Sequence, residues 1–229
     1  MTMPLSVHDQ KEIVDLKLGD GIAFRLNVTD QDVWIDQVRK IPANDVHLPS
    51  PTPAATTSPH SFSRLREGDA MPWFRLTTQD GEQITLETFR GHPFVLTFVF
   101  TRCPLPTFCP RMSQNFSELQ KAIKKDEGGL ERTRLLSITI DPSFDTPKVL
   151  KQYAAYQKAD PDVWTFATGQ PSQIDELTHL FSVYVQTEGG TISHGLATAL
   201  INKGGEIEKI WRGNAWTPAE VIQEISAQR

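Results

Sequence analysis

The chain has 229 residues, of which 38% are hydrophobic and 22% charged, and its formal net charge is -5. This composition is that of a globular protein, and the length allows one well-cored domain plus an appendage. The acidic balance argues against a nucleic-acid partner, because phosphate binding needs a concentrated Lys/Arg surface. The longest apolar run, residues 93–100, is too short to cross a bilayer, so no transmembrane segment is predicted in the chain.

Residues 1–41 predict a small, partial β-domain. Residues 21–28 are rich in β-branched and aromatic side chains, and residues 33–41 alternate apolar and polar residues after a turn signal at Asp30. The two segments together predict a β-hairpin. A lone hairpin is marginally stable in water, so this zone is expected to be a fragment of a larger β-domain or a piece that docks on the rest.

Residues 42–66 differ sharply in composition from what precedes and follows them. They are rich in Pro, Ser, Thr and Ala and carry few side chains that could form a core. Such a stretch predicts an extended linker.

Residues 67–229 predict a larger α/β domain with a central sheet flanked by helices, because strand and helix patterns alternate along them. Strands are predicted at residues 72–77, 83–86, 93–100, 135–140, 196–202 and 206–211, and helices at residues 110–125, 146–157, 172–181 and 217–227. Both cysteines of the chain fall between a predicted buried strand and a helix start, which is where open α/β sheets place their chemistry.

Cys103 and Cys109 are the two cysteines, and five residues separate them. A structural disulfide that closes so small a loop would add little stability, so a redox pair or a metal clamp is the better interpretation. Pro110 favours a helix start at this point. The positive end of that helix, with Arg102 and Arg111 nearby, predicts a lowered pKa for the Cys109 thiol.

A metal clamp made of two thiolates selects copper(I) or zinc and usually needs a third ligand. Among six histidines, His194 is the best candidate, because residues 189–195 are expected to form a flexible glycine-containing loop that leads into a buried strand. Such a loop can reach the cysteines of a neighbouring strand. The competing interpretation is a structural or merely exposed histidine.

Four motifs in residues 68–229 resemble, in the same order, those of the Sco/SenC family. They are FTRCP with a second CP at residues 100–110, DPSFDTP at 141–147, WTFATG at 164–169 and SH at 193–194. The resemblance implies a thioredoxin-like fold and copper, as Cu(I) or Cu(II), bound by Cys103, Cys109 and His194.

The same resemblance implies a role in cytochrome oxidase assembly. Members deliver copper to the binuclear copper site of the oxidase subunit, or reduce the cysteines of that site, so the partner is that subunit or another copper or thiol client. They work outside the cytoplasm and are usually tethered to a membrane, which predicts an extracytoplasmic location such as the bacterial periplasm.

One feature departs from the family pattern: the usual spacing is Cys-x-x-x-Cys, whereas five residues intervene here. A longer loop can still clamp a metal or close a disulfide, since loop-closure entropy rises slowly with length. In the family the segment that contains Asp141 and Asp145 lies near the site, so these two carboxylates, with Arg102 and Arg111, are predicted to surround the ligands. Helix capping and turn formation are the alternative roles of both aspartates.

At the N-terminus, Met1 and Met3 followed by the predicted hairpin resemble the second half of a CusF-like copper-binding β-barrel domain. In that family methionines bind copper(I) through the soft thioether sulfur. Met1 is alternatively only the initiator. On the first interpretation the chain begins inside a longer protein, whose missing part holds the first strands and a signal or anchor.

Two rival functions remain open at the level of sequence. The first is a thioredoxin-like disulfide reductase or peroxidase without a copper role, and the second is an interaction module with an inert disulfide. The Cys-x-x-Cys pair of thioredoxins is absent, and Pro106 stands where peroxiredoxins place a threonine before the reactive cysteine. Oxidation is predicted to form a Cys103–Cys109 bond that blocks metal binding.

Overall fold

The computed structural model describes residues 6–7, 9–28, 33–42, 64–125, 130, 132–188 and 191–227. These residues fall into two compact units, an N-terminal one and a larger one that carries Cys103, Cys109 and His194. Most of the predicted linker, residues 42–66, lies outside the described residues. Met1 and Met3 lie outside them as well. Within the described part of the chain, no helix combines the length and the apolar character that a membrane span requires.

The N-terminal unit contains a three-stranded sheet in the order β1-β3-β2. Its strands are β1 (Ser6–Val7), β2 (Gly21–Val28) and β3 (Val33–Ile41). The antiparallel pairing of β2 with β3 confirms the predicted hairpin. Strand β1 pairs in parallel with β3 and was not predicted, because two residues are too few to show a period. The likeness to a CusF-like domain stays a prediction.

Besides a 3-10 helix at Leu86–Phe89, the larger unit contains nine strands and four α-helices among its described residues. In chain order they are β4 (Arg75–Thr78), β5 (Gln83–Thr85), β6 (Phe94–Val99), α1 (Cys109–Lys124), β7 (Arg134–Thr139), α2 (Pro147–Tyr156), β8 (Trp164–Thr168), α3 (Pro171–Leu180), β9 (Val185–Glu188), β10 (Thr191–His194), β11 (Ala197–Ile201), β12 (Ile207–Arg212) and α4 (Pro218–Ala227). Helix α2 lies within the predicted range of residues 146–157 and begins with Thr146 at the N-cap and Pro147 in the first turn.

Seven of these strands form one sheet in the order β12-β11-β6-β7-β8-β4-β5. Strands β6, β7 and β8 are parallel, and β11 runs antiparallel to β6. Helices cover both faces, because Phe116 of α1 packs on Trp164 with ring centroids 5.7 Å apart, while Phe181, after α3, packs on Phe98 of the opposite face at 5.6 Å. This is the thioredoxin-like α/β architecture that the family resemblance implies.

The topology brings three separate chain segments to one edge of the sheet. Strands β6 and β7 are parallel, so the cysteine loop that follows β6 and the Asp141–Asp145 segment that follows β7 leave the sheet side by side. Strand β11 is antiparallel to β6, with Thr198 opposite Thr97, so its start lies at the same edge. His194 precedes that start by three residues and therefore arrives beside the cysteines.

Two regions differ from the sequence-based expectation. Strand β8 was not predicted, because it is almost wholly buried and shows no alternation of polar and apolar residues. The expectation of a flexible loop was wrong for residues 191–194, which form β10 and pair with β9 in an antiparallel arrangement, whereas residues 189 and 190 lie outside the described residues. The β-branched Thr191 and Ile192 favour an extended strand over a loop.

Candidate metal centre

The two cysteines lie at the carboxyl end of β6, on either side of a short loop. The N–H of Cys103 donates to the carbonyl of Phe100 at 3.3 Å, which turns the chain away from the sheet directly after the strand. Cys109 is the first residue of α1 and is fully buried, whereas Cys103 is half-buried. Neither thiol is engaged in a disulfide.

His194 is the last residue of β10, and its ring is buried with 3% of its surface exposed. Its Nδ1 lies 2.7 Å from the carbonyl oxygen of Gly195. A carbonyl can only accept, so Nδ1 carries the hydrogen and Nε2 presents its lone pair. That Nε2 lies 3.5 Å from the Sγ of Cys109. The hydrogen bond therefore fixes the tautomer that leaves a nitrogen available to a metal.

The ligand atoms of Cys103, Cys109 and His194 all lie within 4.8 Å of one another. Two donors bonded to a common ion at about 2.0–2.3 Å are at most about 4.6 Å apart, so closing the set on one ion takes only a small adjustment. The structure thus brings the three predicted ligands together. Two soft sulfurs with one imidazole nitrogen form a donor set that suits copper.

The predicted pKa shift of Cys109 was wrong in sign. Burial raises the pKa of this thiol well above its ordinary value, and the hydrogen bond to Cys103 and the charge of Cys103 raise it further. Backbone groups of Phe100 and of Cys109 itself lower the pKa but do not compensate for burial. The sequence shows the helix start, but not that the thiol is removed from water. In the metal-free protein, Cys109 is therefore a neutral thiol whose hydrogen can be donated to Nε2 of His194.

The Asp141–Asp145 segment holds the two residues that precede Cys103. Asp145 is fully buried and accepts hydrogen bonds from the N–H and Oγ1 of Thr101 at 3.1 and 2.5 Å and from Oγ1 of Thr139 at 2.6 Å. Burial raises the pKa of this carboxyl, and the threonine bonds oppose that shift. Asp141 pairs with Arg102 at 2.6 Å. Both carboxylates thus contact the cysteine loop through its neighbours and not through the sulfurs.

Arg111 differs from the other predicted neighbours of the ligands. It is exposed on the first turn of α1 and, among the described residues, makes no hydrogen bond or ion pair with either cysteine. Among the described residues, Arg102 likewise makes no hydrogen bond to either sulfur. Its guanidinium instead pairs with Asp141 and stacks 3.9 Å above the ring of Phe144.

Two aromatic residues at the site were missed by sequence reasoning. The rings of Phe100 and Phe108 meet the His194 ring edge-on, with centroids 5.4 and 5.9 Å away. Both are buried and shield the imidazole from water. Their position next to the cysteine loop, one directly after β6 and one directly before Cys109, is the signal that could have identified them.

Comparison with known proteins places these features in a family. Residues 64–228 match the family model described as SCO1/SenC. The SCO1 protein homolog of Bacillus subtilis strain 168 is 32% identical over 159 residues, covering 67% of this chain and 80% of that protein. Among solved structures, BsSco, described as a member of the Sco family of cytochrome c oxidase assembly proteins with a disulfide switch, is 28% identical with a TM-score of 0.61, covering 72% of this chain and 96% of that one.

Two further structures resemble the same part of the chain. Copper-bound ScoI of Bradyrhizobium japonicum is 26% identical with a TM-score of 0.58, covering 69% of this chain and 99% of that one. A SCO1/SenC family lipoprotein of Bacillus anthracis strain Ames is 26% identical with a TM-score of 0.62, covering 72% and 98%. Since the family model covers well over half of the sequence, the chain belongs to the SCO1/SenC family.

Proposed function

We propose that Cys103, Cys109 and His194 bind one copper ion, and that the protein is a metallochaperone with thiol–disulfide chemistry at the same site. The observation that carries this proposal is the convergence of the three donor atoms within 4.8 Å, from two segments of the chain that are far apart in sequence. Copper is supported further by the copper-bound relative from Bradyrhizobium japonicum. Copper is here the cargo, so the site must both hold the ion and release it.

The donor set suits both oxidation states of copper. Soft thiolates favour Cu(I), and an imidazole nitrogen suits Cu(II) as well. Once copper has left, the two sulfurs can instead join in a disulfide, with loss of two protons and two electrons to a client disulfide that is thereby reduced. We propose that the disulfide and the metal exclude each other, because disulfide formation removes the thiolates that bind the ion.

The environment of Cys109 disfavours a peroxidase or general reductase in which Cys109 is the attacking cysteine. A peroxidatic or attacking cysteine has to be a thiolate near neutral pH. Burial raises the pKa of the Cys109 thiol, and it has no exposed surface through which a substrate could reach it. A metal ion overcomes the same obstacle by displacing the proton, so a buried protonated thiol fits a metal ligand better than a free nucleophile.

The client is proposed to be the copper-site subunit of cytochrome c oxidase. This proposal is supported by BsSco, a member of the Sco family of cytochrome c oxidase assembly proteins. The lipoprotein relative of Bacillus anthracis supports a location outside the cytoplasm at a membrane surface. We propose as well that residues 1–41 and 42–66 form a separate β-unit and a linker ahead of the metal-binding domain, residues 67–229.

The affinity for copper is expected to rise with pH. The raised pKa keeps Cys109 protonated through the neutral range, so each binding event there must release at least that proton. Release of one proton makes the affinity climb about tenfold per pH unit. Competition titrations with a Cu(I) chelator at pH 6, 7 and 8, corrected for the protonation of the chelator, measure this slope. An affinity that is flat over this range would contradict a protonated thiol at the site.

The function is tested by transfer of the metal. The reduced protein loaded with one equivalent of Cu(I) is mixed with the metal-free soluble copper domain of an oxidase subunit, and the copper content of each is measured after separation. We expect transfer to the oxidase domain from the reduced chaperone. The control is the protein oxidised beforehand, which we expect to retain no copper. Binding of copper without transfer would contradict the chaperone role.

A further inference from the structure

The loop between the two cysteines is longer here than the three residues usual in the family, so its shape needs support from outside. Residues 104–108 separate Cys103 from Cys109, and two of them, Pro104 and Pro106, have a fixed φ. Each additional residue in a loop adds conformational freedom that must be lost when both sulfurs turn to one ion. Bonds that hold the two ends of the loop reduce that loss before the metal arrives.

Two aspartates in the segment that follows β7 hold the start of the loop. Asp145 binds both the backbone N–H and the hydroxyl of Thr101, and the pair Arg102–Asp141 holds the next residue. These bonds fix the chain up to Cys103. They leave the far end, next to Cys109, to be held by something else.

The far end is held from the turn between β12 and α4. The amide Nδ2 of Asn214 donates to the carbonyl of Thr107 at 2.7 Å. The adjacent Gly213 has a φ of 78°, in the left-handed region, and its N–H donates to the carbonyl of Leu196 at 2.9 Å. Leu196 follows His194 by two residues. One turn therefore contacts both the cysteine loop and the segment that carries the histidine.

The bond at Thr107 bears directly on the ligands. Thr107 is followed by Phe108, whose buried ring packs edge-on against His194, and then by Cys109. If the Thr107 carbonyl were released, the ring that shields the imidazole and the backbone leading into the second ligand would lose the same restraint. Asn214 therefore acts on the site only through the Thr107 carbonyl. Among the described residues, its side chain makes no hydrogen bond to Cys103, Cys109 or His194.

We propose that Asn214 is a positioning residue for copper binding. Its amide holds the end of the long cysteine loop, so that Cys109 and Phe108 keep their positions next to the His194 ring. This inference rests on the proposed copper function. Asn214 acts from a turn of the fold outside the loop, and Asp145 supports the other end of the loop.

Two substitutions test the role of Asn214. Asn214→Asp keeps the shape but replaces the donor by an acceptor opposite a carbonyl, and Asn214→Ala removes the group without adding charge. The matched control is Asn202→Ala, because Asn202 also binds backbone groups of a surface turn through its Oδ1, with Gly204 at 2.9 Å and Glu206 at 3.0 Å, but at the opposite edge of the sheet. Copper affinity by chelator competition and the thermal midpoint of the metal-free protein are measured for all three.

Both Asn214 variants are expected to bind copper about tenfold more weakly, the lower end of the loss seen when groups outside the ligand set are removed. Asn202→Ala is expected to bind copper like the parent protein, although its thermal midpoint falls by an amount comparable to that of the Asn214 variants. Equal affinity of the Asn214 variants and the parent, or an equal loss in Asn202→Ala, would overturn the proposal.

A metal-free measurement separates this inference from the copper function. The reduced protein is equilibrated with oxidised glutathione, which takes the two electrons and two protons of the thiols to give two reduced glutathione molecules and the Cys103–Cys109 disulfide. We expect the equilibrium constant to fall about tenfold in the Asn214 variants and not in Asn202→Ala, since a released loop lowers the effective concentration of one sulfur near the other. If the parent binds no copper, the proposed function fails while this equilibrium still decides the role of Asn214; an unchanged constant would refute that role.

Discussion

Replacing Cys103 by serine is expected to lower copper affinity by more than about 100-fold, a larger loss than the roughly 10–100-fold that follows removal of a group outside the ligand set. The reason is that a hydroxyl is a hard, neutral donor with little affinity for Cu(I), so only Cys109 and His194 would remain. Cys103 is half-buried, whereas Cys109 is completely buried, so the exchange of sulfur for oxygen at Cys103 disturbs the core less.

Chelator competition under reducing conditions measures this loss, with the thiolate-to-copper absorption bands of the Cu(II) form as a second readout. Thr107→Ala is a suitable control, because the Thr107 side chain is exposed in the same loop and leaves both sulfurs in place. Equal affinities of the parent protein and Cys103→Ser would remove the basis of the chaperone proposal.

Replacing His194 by alanine is expected to weaken Cu(II) binding by more than about 100-fold and Cu(I) binding by less, while the domain stays folded. The imidazole is the one ligand that Cu(II) prefers, whereas two thiolates alone can hold Cu(I). The ring is buried between Phe100 and Phe108, so its removal leaves a small cavity at the edge of the sheet and not in the main core.

The control for this variant is His179→Ala, which removes an exposed histidine from α3. Far-ultraviolet circular dichroism establishes that both variants are folded, and titration with each oxidation state gives the two affinities. A Cu(II) affinity and spectrum that stay the same in His194→Ala would show that the ring is not a ligand. An equal loss for both oxidation states would contradict the assignment of the imidazole as the Cu(II)-selective donor.

Much of this architecture could be predicted from local patterns. Pro147 after Thr146 fixes the start of α2, and the apolar run before Cys103 identifies the buried strand β6. The short spacing between Cys103 and Cys109 before a predicted helix is enough to indicate that the two thiols act together. His194 was chosen from six histidines on the expectation of a flexible loop, where the structure has strand β10, and on the family resemblance, because no local pattern shows which strand ends share an edge.

Other features could not be read from the sequence, since they arise from tertiary packing. The raised pKa of the Cys109 thiol results from burial, which outweighs the helix terminus that the sequence displays. The hairpin that ends at His194 is held by pairing with β9, and Tyr184 packs so closely on Gly195 that a Cβ there would lie 3.2 Å from its ring. The bond from Asn214 to Thr107 joins residues 107 positions apart.

Strand β6 lies inside the seven-stranded sheet, with hydrogen-bonded neighbours on both sides and every one of its residues buried. Amide hydrogens of such a strand exchange with solvent only when the whole domain unfolds. Strand β6, which ends shortly before Cys103, therefore has the stability of the entire domain. Any motion that lets an ion in or out must take place in the segments outside the seven-stranded sheet that carry Cys103, Cys109 and His194, on a timescale independent of global unfolding.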